Sequence, residues 1–146
     1  MRRWLAVLVV LAGLLPLGGC GDPVAAYCGS LRDNRQQLSE MINSGSPTAL
    51  IGNLTLLKKI AGRAPADLTD EWQTFLGAIE DLDQALHDAD VAPGAFHHGK
   101  PPPGVTPAQR KQIADAAGQL TSSQVTSAAD GIVQEARDVC HIDLEL

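Results

Sequence analysis

The chain has 146 residues, which suits one domain, and its 17 acidic residues outnumber its 11 basic residues. An acidic chain lacks the positive field that nucleic-acid binding requires, so we exclude nucleic acid as a partner. Aromatic residues make up only 3% of the sequence. The core must therefore consist mostly of aliphatic side chains, and few rings remain to stack against a sugar or a base.

The first twenty residues are charged at the start, apolar in the middle and small at the end. Arg2 and Arg3 precede an apolar run from Trp4 to Leu15, and Leu17-Gly18-Gly19-Cys20 follows it. A run of about a dozen residues is too short to span a bilayer, which needs roughly 20, but it suits the apolar core of a signal peptide. The segment resembles a bacterial lipoprotein signal peptide, with the last four residues as its lipobox.

The lipoprotein resemblance implies that the chain is cut before Cys20 and that the thiol is acylated with palmitate-type chains. Residues 1–19 are then the signal peptide, 20–22 a lipid-anchored tether and 23–146 a single domain. Without Arg2 and Arg3 the net charge becomes −8, so lipid rather than charge must hold the domain to a membrane. The predicted location is the extracytoplasmic face of the cell membrane. An ordinary cleaved signal without lipid is the alternative.

The chain has three cysteines, and an odd number in an exported protein requires an explanation. Acylation of Cys20 leaves Cys28 and Cys140, which we expect to form a disulfide in an oxidising compartment. Two free, buried thiols are the alternative. His141 is adjacent to Cys140, but neighbours in a helix point in different directions, so this pair does not indicate a catalytic site.

The first half of the mature chain predicts two helices. Residues 23–43 carry one apolar face, and Pro23 suits a first helical turn. Ser46 and Pro47 then start a second helix, which Gly62 ends. In the first helix the apolar positions follow steps of three, four or seven: Val24, Cys28, Leu31, Leu38 and Ile42. In the second helix the apolar face consists of Leu50, Ile51, Leu54, Leu57 and Ile60.

The third predicted helix has the clearest pattern, and it ends near Asp90. Its other side is mostly acidic, which is typical of a helix packed on one face. The apolar positions are Leu68, Trp72, Phe75, Ile79, Leu82 and Leu86, and the acidic positions are Asp70, Glu71, Glu80, Asp81, Asp83 and Asp88.

Residues 91–106 form a loop rich in proline, glycine and histidine. Pro107 starts the next helix, Thr121-Ser122-Ser123-Gln124 resembles a capping box, and a final helix reaches Cys140. The tail 141–146 alternates, but it is too short to predict a strand. We therefore predict an all-α bundle of four or five helices, closed by one disulfide between Cys28 and Cys140.

Three stretches of the mature chain resemble small exported helical proteins of high-GC Gram-positive bacteria. They are Ala26-Tyr27-Cys28, the segment from Ala64-Pro65 to Trp72, and the Ala-rich last helix with its cysteine and apolar tail. The resemblance implies a helical domain with paired cysteines and carries over no activity. A glycine often follows the last cysteine in that group. Here the residue is His141, so this helix end departs from the pattern.

Candidate sites are few. Asp83, His87 and Asp90 share one helical face and carry metal-competent groups, but a solvated acidic face is the favoured interpretation. His97-His98 lacks a third ligand and is interpreted as an exposed part of the loop. The sequence contains no Walker loop, zinc-protease motif, nucleophile elbow or dinucleotide fingerprint. We therefore predict no catalytic residue, no metal ligand and no cofactor.

Three functions remain open from the sequence. The first is a lipid-anchored binding or scaffolding module with an envelope protein as partner, using the acidic face of the third helix or the proline loop. The second is a binder of a small ligand or metal, with a pocket beside Trp72 and Phe75. The third is an enzyme, which the absence of motifs disfavours.

Overall fold

A computed structural model describes residues 22–95 and 102–144. This part of the chain is all-α, as the sequence predicts, with seven α-helices and one 3₁₀ turn. The elements are α1 (Pro23–Asp33), α2 (Arg35–Ser44), α3 (Pro47–Gly52), α4 (Leu54–Ala61), the turn Ala66–Leu68, α5 (Thr69–Asp88), α6 (Pro107–Leu120) and α7 (Ser123–Asp138). The predicted number of four or five helices is wrong, because two predicted helices are each divided in two.

An asparagine divides each of the first two predicted helices. Asn34 separates α1 from α2, and Asn53 separates α3 from α4. Each side-chain amide donates a 2.8 Å hydrogen bond to the carbonyl oxygen four residues earlier, on Ser30 and Ala49 respectively. Asparagine competes with the helical backbone for its own hydrogen bonds in this way. The apolar pattern continues across both breaks, so the period alone predicts one helix where there are two.

Helix α5 is the central element and packs against α3, α4, α6 and α7. Ile79 and Ala78 lie at its buried middle, and Leu82 and Leu86 continue the buried face toward its end. The residues that the period assigns to one face therefore do form the core of the fold. The helix ends at Asp88, two residues before the predicted end.

The starts of α6 and α7 are fixed by side-chain caps. Thr106 accepts a hydrogen bond from the Gln109 backbone N–H, and the Gln109 side chain accepts one from the Thr106 backbone, which forms a capping box. At α7 the cap is Ser122, which accepts from the Val125 N–H. The predicted capping box, with Thr121 as the N-cap, is therefore wrong by one position, because the N-cap is Ser122. The predicted break between the two helices is confirmed.

The interior consists of two neighbouring apolar clusters. The larger one surrounds Tyr27, Ile60 and Ile79, each 0% exposed. The smaller one comprises Leu82, Leu86, Val91 and Ile113, between the second half of α5 and α6. Ile51 and Leu120 contact both clusters. The division matters because the smaller cluster lies beneath the candidate site described below.

The tail that follows α7 is partly buried. Ile142 and Leu144 are 5% and 3% exposed, and the Arg35 Nε donates to the carbonyl of Asp143 at 2.8 Å. The Ile142 N–H donates to the Ala136 carbonyl at 2.8 Å, which ends α7 with a reversed turn around His141. No strand occurs in the described ranges 22–95 and 102–144.

His141 adopts a backbone φ of 55°, which is the left-handed region. Glycine adopts this conformation without steric cost, whereas a side chain carries a penalty. We expect His141→Gly to raise the free energy of unfolding by about 0.5–1 kcal/mol, as measured by urea denaturation. The matched control is Ser127→Gly, at an exposed position inside α7. This control should lower the free energy of unfolding by a similar amount. Equal destabilisation by both variants would contradict the strain at His141.

Candidate functional site

The structure brings the two predicted disulfide partners together. Cys28 in α1 and Cys140 after α7 are bonded, with their Cα atoms 5.1 Å apart and both side chains buried. The prediction of this pair is confirmed. The bond joins two chain ends that are 112 residues apart in sequence. It therefore has a structural role and offers no exposed thiol for chemistry.

Several predicted features lie outside the described residues. They are the signal segment, the acylation site Cys20, and the loop histidines His97 and His98. Their roles remain predictions.

The acidic face of α5 does not converge on a metal site. Asp83 is half-buried, while His87 and Asp90 are exposed, and Asp90 lies beyond the end of the helix. Within residues 22–95 and 102–144, no group of three or more histidine, cysteine, aspartate or glutamate side chains is arranged to hold a metal ion. One acidic side chain of this face, Glu80, forms a surface ion pair with Lys58 at 2.7 Å.

Trp72 is buried in the larger apolar cluster, and Phe75 is partly buried against it. The rings of Tyr27 and Trp72 meet edge to face with centroids 6.5 Å apart, and Phe75 contacts Trp72 in a similar geometry at 6.3 Å. The Trp72 indole N–H donates to the Tyr27 hydroxyl at 3.2 Å. The three rings therefore pack against one another in the larger apolar cluster.

The Tyr27 hydroxyl stays protonated at neutral pH. Burial raises the pKa of Tyr27 to about 12, the Trp72 hydrogen bond opposes the rise, and the charge of Glu135 adds to it. A phenol with so high a pKa stays protonated and is a poor general base near pH 7. The hydrogen bond and the ring contacts of this cluster therefore stabilise the fold.

A groove that lies between α3, α5 and α6 is the candidate site. Its volume is about 620 Å³, which lies within the range of roughly 300–1,000 Å³ that small-molecule sites occupy. The lining is mostly aliphatic, and its residues are Ser46, Pro47, Thr48, Ile51, Leu82, Leu86, Pro93, Gly94, Arg110, Ile113, Ala114 and Ala117.

Helix α6 forms one wall of this groove. Arg110, Ile113, Ala114 and Ala117 follow a spacing of three, four and seven, so they lie on one helical face. Ile113 is buried in the smaller apolar cluster, whereas Ala114 is exposed. Since the two alanines add little volume to this face, they leave space above Ile113 that larger side chains would fill.

Two hydrogen bonds fix the edges of the groove. The Thr48 hydroxyl of α3 donates to the carbonyl of Pro93 at 3.2 Å, which ties one wall to the segment after α5. The Gln109 side chain donates to the Asp88 carbonyl at 3.4 Å, which ties the start of α6 to the end of α5. The three walls are thus connected at the groove end nearest to the α5 terminus.

Arg110 is the charged group of the groove. Its side chain is exposed, and it forms no ion pair with any residue that the structure describes. The other lining residues that the structure describes are uncharged. In that part of the chain the groove combines an aliphatic surface with one positive charge, in a protein whose net charge is negative.

A second groove, of about 610 Å³, follows α2 and is polar. It is lined by Asp33, Asn34, Gln36, Gln37, Glu40, Met41, Ala49 and Asn53. Several of its polar groups already satisfy one another, since Gln37 donates to Asn53 at 2.6 Å and Gln36 to Glu40 at 3.0 Å. It is less suited to a ligand, because a ligand would have to compete with these internal hydrogen bonds.

Comparison with known proteins adds no further information about this site. No protein-family model matches the chain, and no curated protein or solved structure matches it. In the part of the chain that the structure describes, no helix has both the length and the apolar character needed to cross a bilayer.

Sequence reasoning did not find the groove. Its lining comes from α3, α5, α6 and the segment after α5, and no local motif unites them. The one signal in the sequence is the α6 face, where two alanines and an arginine occupy the spacing that elsewhere carries large apolar residues.

Proposed function

We propose that this protein is a lipid-anchored, non-catalytic helical binding module on the extracytoplasmic face of the cell membrane, and that the groove between α3, α5 and α6 is its binding site. Acylated Cys20 is the proposed anchor. Its position supports a short tether, since α1 begins at Pro23 with Asp22 as its N-cap. The body would therefore be held close to the lipid headgroups.

The observation that carries the binding role is the groove itself. The core elsewhere is packed, with Tyr27, Ile60 and Ile79 fully buried, while the α6 wall leaves an aliphatic space open to solvent. Larger side chains that filled such a space would stabilise the folded domain, because burying apolar surface away from water lowers its free energy. An open space with two small alanines on its wall is therefore better explained by a binding role than by stability.

The anchor is tested by mass spectrometry of the protein purified from membranes. We expect the N-terminal peptide to begin at Cys20 and to carry acyl chains. The Cys20→Ala variant should carry no acyl chains, and the control Gly21→Ala should carry them. An unmodified amino end at or before Cys20 would refute the anchoring.

The binding role is tested by comparing what remains associated with the protein after extraction of the envelope in mild detergent. Ala114→Leu fills the groove, and Ala108→Leu places the same change on an exposed part of α6 outside it. We expect a lipid, small molecule or protein to be retained by the wild type and by Ala108→Leu, and lost from Ala114→Leu. Equal retention by all three forms would show that the groove is not the site.

A further inference from the structure

We infer that the groove between α3, α5 and α6 binds an amphiphilic carboxylate, with a single aliphatic chain in the groove and the headgroup at Arg110. This inference rests on the proposed function, since it names the ligand class of the same groove. The contacts on which it depends are all among the described residues.

The lining selects an aliphatic chain. Ile51 from α3, Leu82 and Leu86 from α5, and Ile113 from α6 are its large side chains, and within residues 22–95 and 102–144 no aromatic ring lines it. Sugars and nucleobases are usually held by stacking on rings, and here the rings of the core are engaged with one another. Aliphatic walls instead favour a methylene chain, for which binding tightens about fourfold for each buried CH₂.

The single charge selects the headgroup. Among the described residues of the lining, Arg110 is the one that carries a charge, and the same part of the chain provides no carboxylate partner for it. A guanidinium binds a carboxylate through two parallel hydrogen bonds, which makes it a specific receptor for this group. The mature protein is acidic overall, so an anion must approach against the net charge. A local cation at the groove is therefore needed to retain an anionic ligand.

The position of Arg110 matches the geometry of such a ligand. It lies one helical turn from Ile113 and Ala114 on the same face of α6. A headgroup at Arg110 thus places the following carbons along Ile113 and Ala114 and across to the α5 leucines. Thr48 and Ser46 at the opposite wall add hydroxyl groups near the rim, although the Thr48 hydroxyl already donates to Pro93.

The test uses the native lipidated protein in isolated membranes and a photoreactive long-chain carboxylate as the probe. After illumination, peptide mapping locates the labelled residues. We expect labelling to concentrate on the α6 face from Arg110 to Ala117. Laurate should compete at about tenfold lower concentration than the uncharged alcohol of the same chain length. Labelling spread evenly over the exposed surface would overturn the inference.

Matched variants separate the chain site from the headgroup site. Ala114→Leu should reduce labelling of α6 at least tenfold, while Ala108→Leu should leave it unchanged. Arg110→Gln should remove the preference for laurate over the alcohol, while Arg63→Gln, which makes the same charge change outside the groove, should keep it. Equal thermal unfolding of each pair verifies the fold. A preference retained in Arg110→Gln would refute the assigned headgroup site.

The outcome also distinguishes this inference from the proposed function. If Ala114→Leu loses a companion in envelope extracts but the carboxylate probe does not label α6, the groove binds something else and the inference fails alone. If the probe labels α6 with the expected dependence on Ala114 and Arg110, the inference is supported. If neither experiment depends on Ala114, both proposals fail.

Discussion

Replacing Cys28 and Cys140 together by alanine is expected to lower the free energy of unfolding by about 4–5 kcal/mol. The disulfide closes a loop of 112 residues, and restricting so long a loop removes much of the conformational entropy of the unfolded chain. Both side chains are buried, at 8% and 5% exposed, and alanine leaves no unpaired polar group there. The midpoint of thermal unfolding should fall by on the order of 15 °C.

Guanidinium denaturation of the oxidised protein, the reduced protein and the double variant measures this contribution. The reduced wild type should match the double variant to within about 1 kcal/mol, and a reductant should have no effect on the variant. A wild type whose stability is insensitive to reductant would show that the cross-link contributes little to the fold.

Raising the pH from 10 to 12 is expected to remove about 2 kcal/mol of stability through Tyr27. Burial raises the pKa of Tyr27 from 10.0 to about 12 in the folded protein. Between these values the unfolded chain has lost the phenolic proton and the folded chain retains it, so stability falls as the pH rises. This contribution is fully present below pH 10 and is lost as the pH passes through about 12.

Tyr27→Phe separates this contribution from the titration of other groups. The variant leaves the buried Trp72 indole N–H without its acceptor, which should cost about 1–3 kcal/mol at neutral pH. Its stability should then decline less steeply than that of the wild type between pH 10 and 12. Denaturation curves at several pH values measure both effects, and parallel declines in the two proteins would contradict the raised pKa.

The sequence predicted the helical class, the disulfide pair and the buried face of α5 because each depends on local or additive properties. The apolar residues from Leu68 to Leu86 repeat every three or four positions, which is the pattern of a helix that buries one side. Cys28 and Cys140 were paired by counting and by compartment, without knowledge of the packing. These features are encoded in single segments or in residue counts.

The two helix breaks were not predicted, although Asn34 and Asn53 mark them. In each case the amide bonds to the carbonyl four residues earlier, an interaction that competes locally with helix continuation. Hydrophobic periodicity is insensitive to this competition, since the apolar positions on both sides remain in phase. The groove escaped prediction for a different reason: α3, α5 and α6 meet there only through tertiary packing.

The bond between Cys28 and Cys140 also brings the two ends of the described domain next to each other. A circularly permuted chain, opened between α5 and α6 and joined by a linker across the old ends, would keep both sulfur atoms in place. Its cross-link would close a loop of roughly 15 residues, so the entropic contribution would drop from about 4.7 to about 3 kcal/mol. Part of the free energy of unfolding therefore depends on the order of the helices in the sequence. It does not depend on the contacts between them, which the permuted chain would keep.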